Sequence, residues 1–166
     1  MADDPPSAAA AARLTRHLRL HATVIAQAGR AALIRGPSGI GKSDLALRCL
    51  ALGTSPLLPV AAHLIADDYV DLRREGDVVV VMPPPAIAGQ MEVRGLGLVM
   101  VSPLASAALA LVVDLVAMSE VERLPDRLPP ETILGVPVPV LRLHAFESSA
   151  PIKLRLALGG AIPDAA

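Results

Sequence analysis

A chain of 166 residues, 53% hydrophobic and 19% charged with a formal charge of −1, is too apolar and too weakly charged for disorder, and suits one domain burying about 70% of its unfolded surface. A pI near 6.4 and only one tyrosine, Tyr69, and one phenylalanine, Phe146, supply neither the basic stripe nor the stacking surfaces of most nucleic-acid binders, so no nucleic-acid partner is expected. The single cysteine, Cys49, makes no internal disulfide, and no Cys/His cluster has zinc-ligand spacing, which points to a reducing cytoplasm.

Residues 1–15 read as a loose tail, because the alanine run at 8–12 has neither the basic start nor the long apolar centre of a signal peptide. One domain is expected over residues 16–160, followed by a tail at 161–166. Residues 18–26 and 31–34 are apolar and flank Gly29-Arg30, the pattern of a hairpin. A glycine-rich loop from Gly36 to Gly41 follows. Residues 42–52 then place Leu45, Leu47, Cys49, Leu50 and Leu52 in a largely buried helix, with Gly53 as its stop. After a proline-rich connector, residues 63–66 form a short strand ending in Asp67-Asp68, and residues 70–73 and 78–82 a second hairpin closed by Pro83-Pro84-Pro85.

Residues 90–94, 98–101 and 109–116 are further strand candidates. Residues 149–158 read as a final helix with Ile152, Leu154, Leu156 and Leu158 packing inward. The uncharged stretch at 95–113 approaches the ~20 residues of a membrane span, but Pro103, Gly95 and Gly97 break it into two buried strands. No membrane partner is expected. Strands outnumber helices and several are joined by hairpins, which predicts an α/β fold with a mixed β-sheet flanked by helices rather than a purely parallel one.

The residues Gly36, Pro37, Ser38, Gly39, Ile40, Gly41, Lys42 and Ser43 satisfy G-x-x-x-x-G-K-[ST] between an apolar strand and a helix. Glycines let backbone N–H groups turn inward around phosphate oxygens, and the helix N-terminus adds partial positive charge. Lys42 can reach the β/γ oxygens and the Ser43 hydroxyl can ligate Mg²⁺, so ATP and Mg²⁺ are the expected cofactors. Side-chain alternation at the end of a strand sends Asp67 and Asp68 to opposite sides, so only one carboxylate readily faces the phosphates, as metal ligand or proton acceptor. Glu92 and Arg94 stand two apart beside Gly95 and Gly97, which fits either part of a metal and phosphate site or a surface ion-pair strand with a glycine turn. His21 has no identifying spacing.

In order and spacing, His21, the P-loop, Leu64-Ile-Ala-Asp-Asp68 and Met91-Glu-Val-Arg-Gly-Leu-Gly-Leu98 resemble the catalytic domain of the HPr kinase/phosphorylase family, in the short form seen in α-proteobacteria. The resemblance covers roughly residues 20–101, and its E-x-R-G-L-G segment is far more specific than the P-loop. It implies the mixed-sheet architecture shared with phosphoenolpyruvate carboxykinase, and a cytoplasmic kinase acting on a serine of an HPr-like phosphocarrier of a phosphotransferase system. It further implies that Asp67 is the base, and the acid in the reverse direction, where inorganic phosphate attacks phosphoserine. Lys42 would bind the β/γ phosphates, Ser43 and Glu92 would hold Mg²⁺, and His21 would lie near them.

An arginine in a D/E-R-L segment is also implied, with Arg123 first and Arg127 in reserve, and Asp68, Arg94, Gly95 and Gly97 support the site. Family members are typically hexamers, so a homo-oligomer is expected. The family's P-V-R-P-G-R-N segment, tied to the dephosphorylating reaction, is replaced here by Pro139-Val-Leu-Arg-Leu-His-Ala-Phe-Glu147, which makes the kinase direction the firmer expectation. Two other readings stand beside it: a P-loop kinase for a small metabolite, and a non-catalytic nucleotide sensor.

Overall fold

The computed structural model describes residues 17–126 and 128–161. The expected N-terminal tail, all but the first residue of the C-terminal one, and Arg127 lie outside them. The order begins β1 (His17–His21), β2 (Thr23–Gln27), β3 (Arg30–Arg35), α1 (Lys42–Ala51), β4 (His63–Ala66), β5 (Tyr69–Glu75) and β6 (Val78–Met82). It continues with β7 (Gln90–Val93), β8 (Gly97–Met100), β9 (Ala107–Leu115), β10 (Glu131–Ile133), β11 (Val136–Val138), β12 (Val140–Leu143) and α2 (Ala150–Leu156).

Eight strands form one mixed sheet in the order β1-β5-β6-β9-β3-β2-β4, with β12 on β9. Only Ala22 separates β1 from β2, and only Asp67-Asp68 separate β4 from β5. The pair β1/β2 therefore runs antiparallel to β4/β5 along its whole length, with His21 opposite Tyr69 and Val24 opposite Ala66. Because both ends of the strand order belong to this one continuous pair, the sheet curls back on itself. Its parallel pairs, β3 with β9 and β9 with β12, are central.

Period-two alternation sorts the strands into two cores. Val24, Ala26, Leu33, Ile65, Val70, Leu72, Val79 and Val81 face the inside of the curl, whereas Ile25, Ala32, Ile34 and Leu64 face the helices. In β9 a register shift opposite Ala31/Ala32 changes which residues face the helices, so that Leu111, Val113 and Leu115 pack there while Leu109 remains in the curl. Both α1 and α2 pack into the same core. The expected mixed α/β sheet is the one observed, with its helices on one face and the other face closed by the curl.

Three local expectations change. Helix α1 ends with Leu52 in extended backbone (φ −67°, ψ 118°) rather than through a left-handed Gly53. In α2 and the wider turn after it, the buried residues are Ala150, Pro151, Leu154, Arg155, Ala157 and Leu158, while Ile152 and Leu156 are only partly covered. A spacing of two cannot share one face of a helix with 3.6 residues per turn. Short β10, which follows Pro129-Pro130, β11, which contains Pro137, and β12, which follows Pro139, are additional to the expected strands.

Candidate active site at the phosphate loop

The curl brings three strand ends together. Thr23, the first residue of β2, pairs with Ile34 near the end of β3, and Val24 pairs with Ala66 at the end of β4. The phosphate loop leaves β3 at that place, and Asp67-Asp68 leave β4 there.

Gly36, Gly39 and Gly41 all have positive φ, at 149°, 81° and 102°. At Gly41 the requirement is also steric: a Cβ would lie 2.9 Å from Ala145 Cβ and 3.0 Å from the Phe146 ring. Gly41 occupies the N-cap of α1 without any side-chain cap, which leaves the first-turn N–H groups available to an anion. Lys42 Nζ donates to the carbonyls of Gly36 and Pro37 at 2.9 and 3.0 Å. The loop is thus braced by the cation that a phosphate would recruit. Behind it, Arg35 is pinned to Asp114 of β9 and Glu131 of β10. Its hydrogen bonds to Glu131 and then Asp114 push the guanidinium pKa above the ordinary arginine value.

Asp67 is buried, with 4% of its surface exposed. Its Oδ1 accepts from Ser43 Oγ and from Thr23 Oγ1, each at 2.8 Å, and its Oδ2 accepts from the backbone N–H of Glu92 at 3.2 Å. One carboxylate therefore ties the phosphate-loop helix to β2 and to the β7–β8 hairpin. Asp68 is its opposite, as strand alternation requires. It is exposed, has φ 68°, and sits at the centre of a γ-turn in which Tyr69 N–H donates to Asp67 O at 2.9 Å. Ala22 N–H holds the Asp68 carbonyl at 3.0 Å, and His21 Nε2 lies 3.9 Å from Asp68 Oδ1. The His21 ring meets Tyr69 edge-on, with centroids 5.5 Å apart.

Such strained backbone is concentrated at functional sites. The donor set fits magnesium on a nucleotide, which keeps several waters and takes few protein ligands: a serine hydroxyl is hydrogen-bonded to a buried carboxylate beside a glycine cradle. Among the described residues no group of three or more His, Cys, Asp or Glu forms an independent metal cage.

Residues 12–150 match the family model described as the HPr serine kinase C-terminal domain. The chain belongs to this family. It is 33% identical over 152 residues to the HPr kinase/phosphorylase of Limosilactobacillus reuteri, covering 85% of this chain and 43% of that protein. To the HPr kinase/phosphorylase of Cupriavidus metallidurans it is 33% identical over 135 residues, covering 75% of this chain and 39% of the other. To that of Clostridium botulinum it is 36% identical over 92 residues, 55% and 28% respectively. The chain thus spans less than half the length of these curated relatives. The HPr(Ser) kinase/phosphatase of Coxiella burnetii shares the fold, with a TM-score of 0.72 at 23% identity over 87% of this chain and 97% of that one.

The remaining site residues expected from the sequence are distributed unevenly. Glu92 lies in β7 with an exposed side chain, next to buried Met91. Arg94 is not in the strand: β7 ends at Val93, and Arg94 is exposed in the turn containing Gly95, closed by Leu96 N–H to Val93 O at 2.9 Å. Gly95 and Gly97 have φ 88° and 91°, which the turn requires of them. Arg123 is exposed after the short turn Met118–Glu120 and makes no hydrogen bond or ion pair with the described residues. Arg127 lies outside the described residues. Sequence reasoning missed Thr23, whose signal is a single polar residue heading the otherwise apolar strand segment Thr-Val-Ile-Ala. It also missed Phe146, the exposed ring against Gly41.

No helix among the described residues is long and apolar enough to cross a membrane. The uncharged stretch at 95–113 supplies β8 and part of β9.

Proposed function

We propose that the chain is an ATP-dependent serine kinase acting on an HPr-like phosphocarrier, with the reverse phosphorolysis as a second direction. The observation that carries this reading is the convergence of a phosphate loop, a buried carboxylate on Ser43 and an exposed carboxylate beside His21 at one corner of the sheet. The loop N–H groups and Lys42 would bind the β/γ oxygens, and Ser43 and Glu92 would hold Mg²⁺, which would supply neutralisation of the charge developing on the phosphate.

Resemblance alone puts the base at Asp67. The geometry favours a division of labour instead: Asp67, buried and already accepting from three donors, orders Ser43, and Asp68 takes the proton. A protein serine must be reached from solvent, and Asp68 is the accessible carboxylate. In the forward step the serine oxygen bonds to the γ-phosphorus, its proton passes to the Asp68 carboxylate, and the bond to the ADP oxygen breaks. In phosphorolysis an oxygen of inorganic phosphate bonds to the phosphoserine phosphorus, the bond to the serine oxygen breaks, that oxygen takes the proton held by the Asp68 carboxyl, and pyrophosphate leaves. His21 supports the Asp68 carboxylate, Arg123 stabilises charge on the transferring group, and Asp68, Arg94, Gly95 and Gly97 shape the face that receives the phosphocarrier. We extend the reading to a homo-oligomeric assembly in the cytoplasm.

An exposed acceptor at the tip of a turn suits a protein hydroxyl better than an enclosed metabolite. The test is transfer of γ-labelled phosphate from Mg·ATP to a purified HPr-type phosphocarrier, with Lys42→Ala as control. Acid-stable, Lys42-dependent label supports the reading. Intact ATP binding without label on the phosphocarrier favours a sensor or a metabolite kinase.

A further inference from the structure

Thr23 is 1% exposed and heads a strand whose next three residues, Val24, Ile25 and Ala26, are wholly buried and apolar. A hydroxyl in such a position costs free energy unless it is satisfied. Its one side-chain hydrogen bond runs to Asp67 Oδ1 at 2.8 Å, and the same oxygen accepts from Ser43 Oγ at 2.8 Å. The other oxygen, Oδ2, takes the Glu92 N–H. Three donors from three elements therefore fix the rotation of one carboxylate. Of these, the Glu92 donor is backbone and independent of residue type, and Ser43 belongs to the phosphate loop. Thr23 is the remaining contributor that a substitution can remove without touching the loop.

We propose that Thr23 is a positioning residue for the metal-binding serine, acting through Asp67. With Thr23 holding Oδ1, the Ser43 hydroxyl hydrogen is committed to that oxygen and the Ser43 lone pairs are left for a divalent cation. Without it, the carboxylate is free to turn about its Cβ–Cγ bond and the Ser43 hydroxyl hydrogen loses its fixed acceptor. Rigid second partners of this kind commonly change metal affinity by 10- to 100-fold. The inference rests on the nucleotide-binding reading of the loop.

The experiment measures ADP affinity by titration calorimetry in Mg²⁺ and in EDTA, so that the ratio isolates the metal-dependent part. Thr23→Val keeps the volume and removes the donor; it is expected to lower the Mg²⁺/EDTA affinity ratio about tenfold while ADP affinity in EDTA stays within about twofold. Thr23→Ser keeps the donor and is expected to restore the ratio, which a packing role for the methyl group would not allow. In an Asp67→Asn background Thr23→Val should add less than about twofold, because both act through one carboxylate. If Thr23→Val does not fold, Thr23→Cys, with its weak donor, replaces it.

An unchanged ratio in Thr23→Val, or an effect that Thr23→Ser shares, overturns the proposal while leaving nucleotide binding intact. Wild-type protein that binds ADP in neither condition overturns the nucleotide reading and this proposal with it.

Discussion

Ser43 Oγ donates to Asp67 Oδ1 over 2.8 Å, and the carboxylate that receives it is reached by two further donors. Removing the serine hydroxyl therefore leaves Asp67 satisfied by Thr23 and the Glu92 N–H. Ser43→Ala is expected to change stability by less than about 1 kcal/mol, because no buried acceptor is orphaned. It should nevertheless lower Mg²⁺-dependent ADP affinity by about tenfold. Thermal unfolding and calorimetry on the same samples check both halves.

Asp68 occupies a γ-turn with φ 68°, a conformation that glycine adopts without a Cβ penalty. Asp68→Gly should stabilise the fold by about 0.5–1 kcal/mol and abolish phosphate transfer in the same protein. A lower Tm would show that the turn stores no strain.

Gly41 has φ 102° and no room for a Cβ beside Ala145 and Phe146. Gly41→Ala should cost about 1–3 kcal/mol and displace the loop, so that ADP affinity falls in Mg²⁺ and EDTA alike. That equal loss separates a loop defect from a metal defect.

Arg155 is wholly buried in α2, where its guanidinium donates to the carbonyls of Leu52 and Gly53 at the end of α1, to Val60, and to Gln27. These carbonyls include the unsatisfied acceptors of a helix C-terminus, which a cation suits. Arg155→Met orphans them and is expected to cost about 2–3 kcal/mol, or roughly 5–10 °C in Tm for a domain of this size. Lys42-dependent nucleotide binding at low temperature should survive.

Cys49 is fully buried between α1 and α2, and burial pushes its thiol up from an ordinary value of 9.0 to about 12. The folded state therefore holds the thiol proton more tightly than the unfolded state does. Its contribution to stability is complete below pH 9 and declines as pH rises toward 12. At pH 8 a disulfide reagent should react only as fast as the protein opens. Cys49→Ala should unfold with a shallower loss of stability across the alkaline range. Rapid labelling of the native protein at pH 8 would contradict the burial argument.

What was legible in the sequence was contiguous. The phosphate loop is eight consecutive residues between a strand and a helix, and strand alternation at Asp67-Asp68 correctly sends one carboxylate inward and one outward. The partnership of Thr23 with Asp67 was not legible, because it depends on β2 lying beside β4 across 44 residues of chain. Nor was the Glu92 contribution, since every residue but proline carries an N–H and only the curl brings this one to Asp67. The buried face of α2 was not legible from Ile152, Leu154, Leu156 and Leu158, because apolar residues at every second position fall on different sides of a helix. The buried cation among them, Arg155, carries no signal of burial without its carbonyl partners.

The central claim is that two adjacent aspartates divide the work, and label transfer to an HPr-type phosphocarrier serine, measured beside ADP binding in Asp67→Asn and Asp68→Asn, tests it most directly. The account predicts acid-stable label with wild type. It predicts a loss of about 10²–10⁴-fold in Asp68→Asn with Mg²⁺-dependent ADP binding intact, and a loss of both in Asp67→Asn. Full transfer by Asp68→Asn, or undiminished metal-dependent binding by Asp67→Asn, would contradict it.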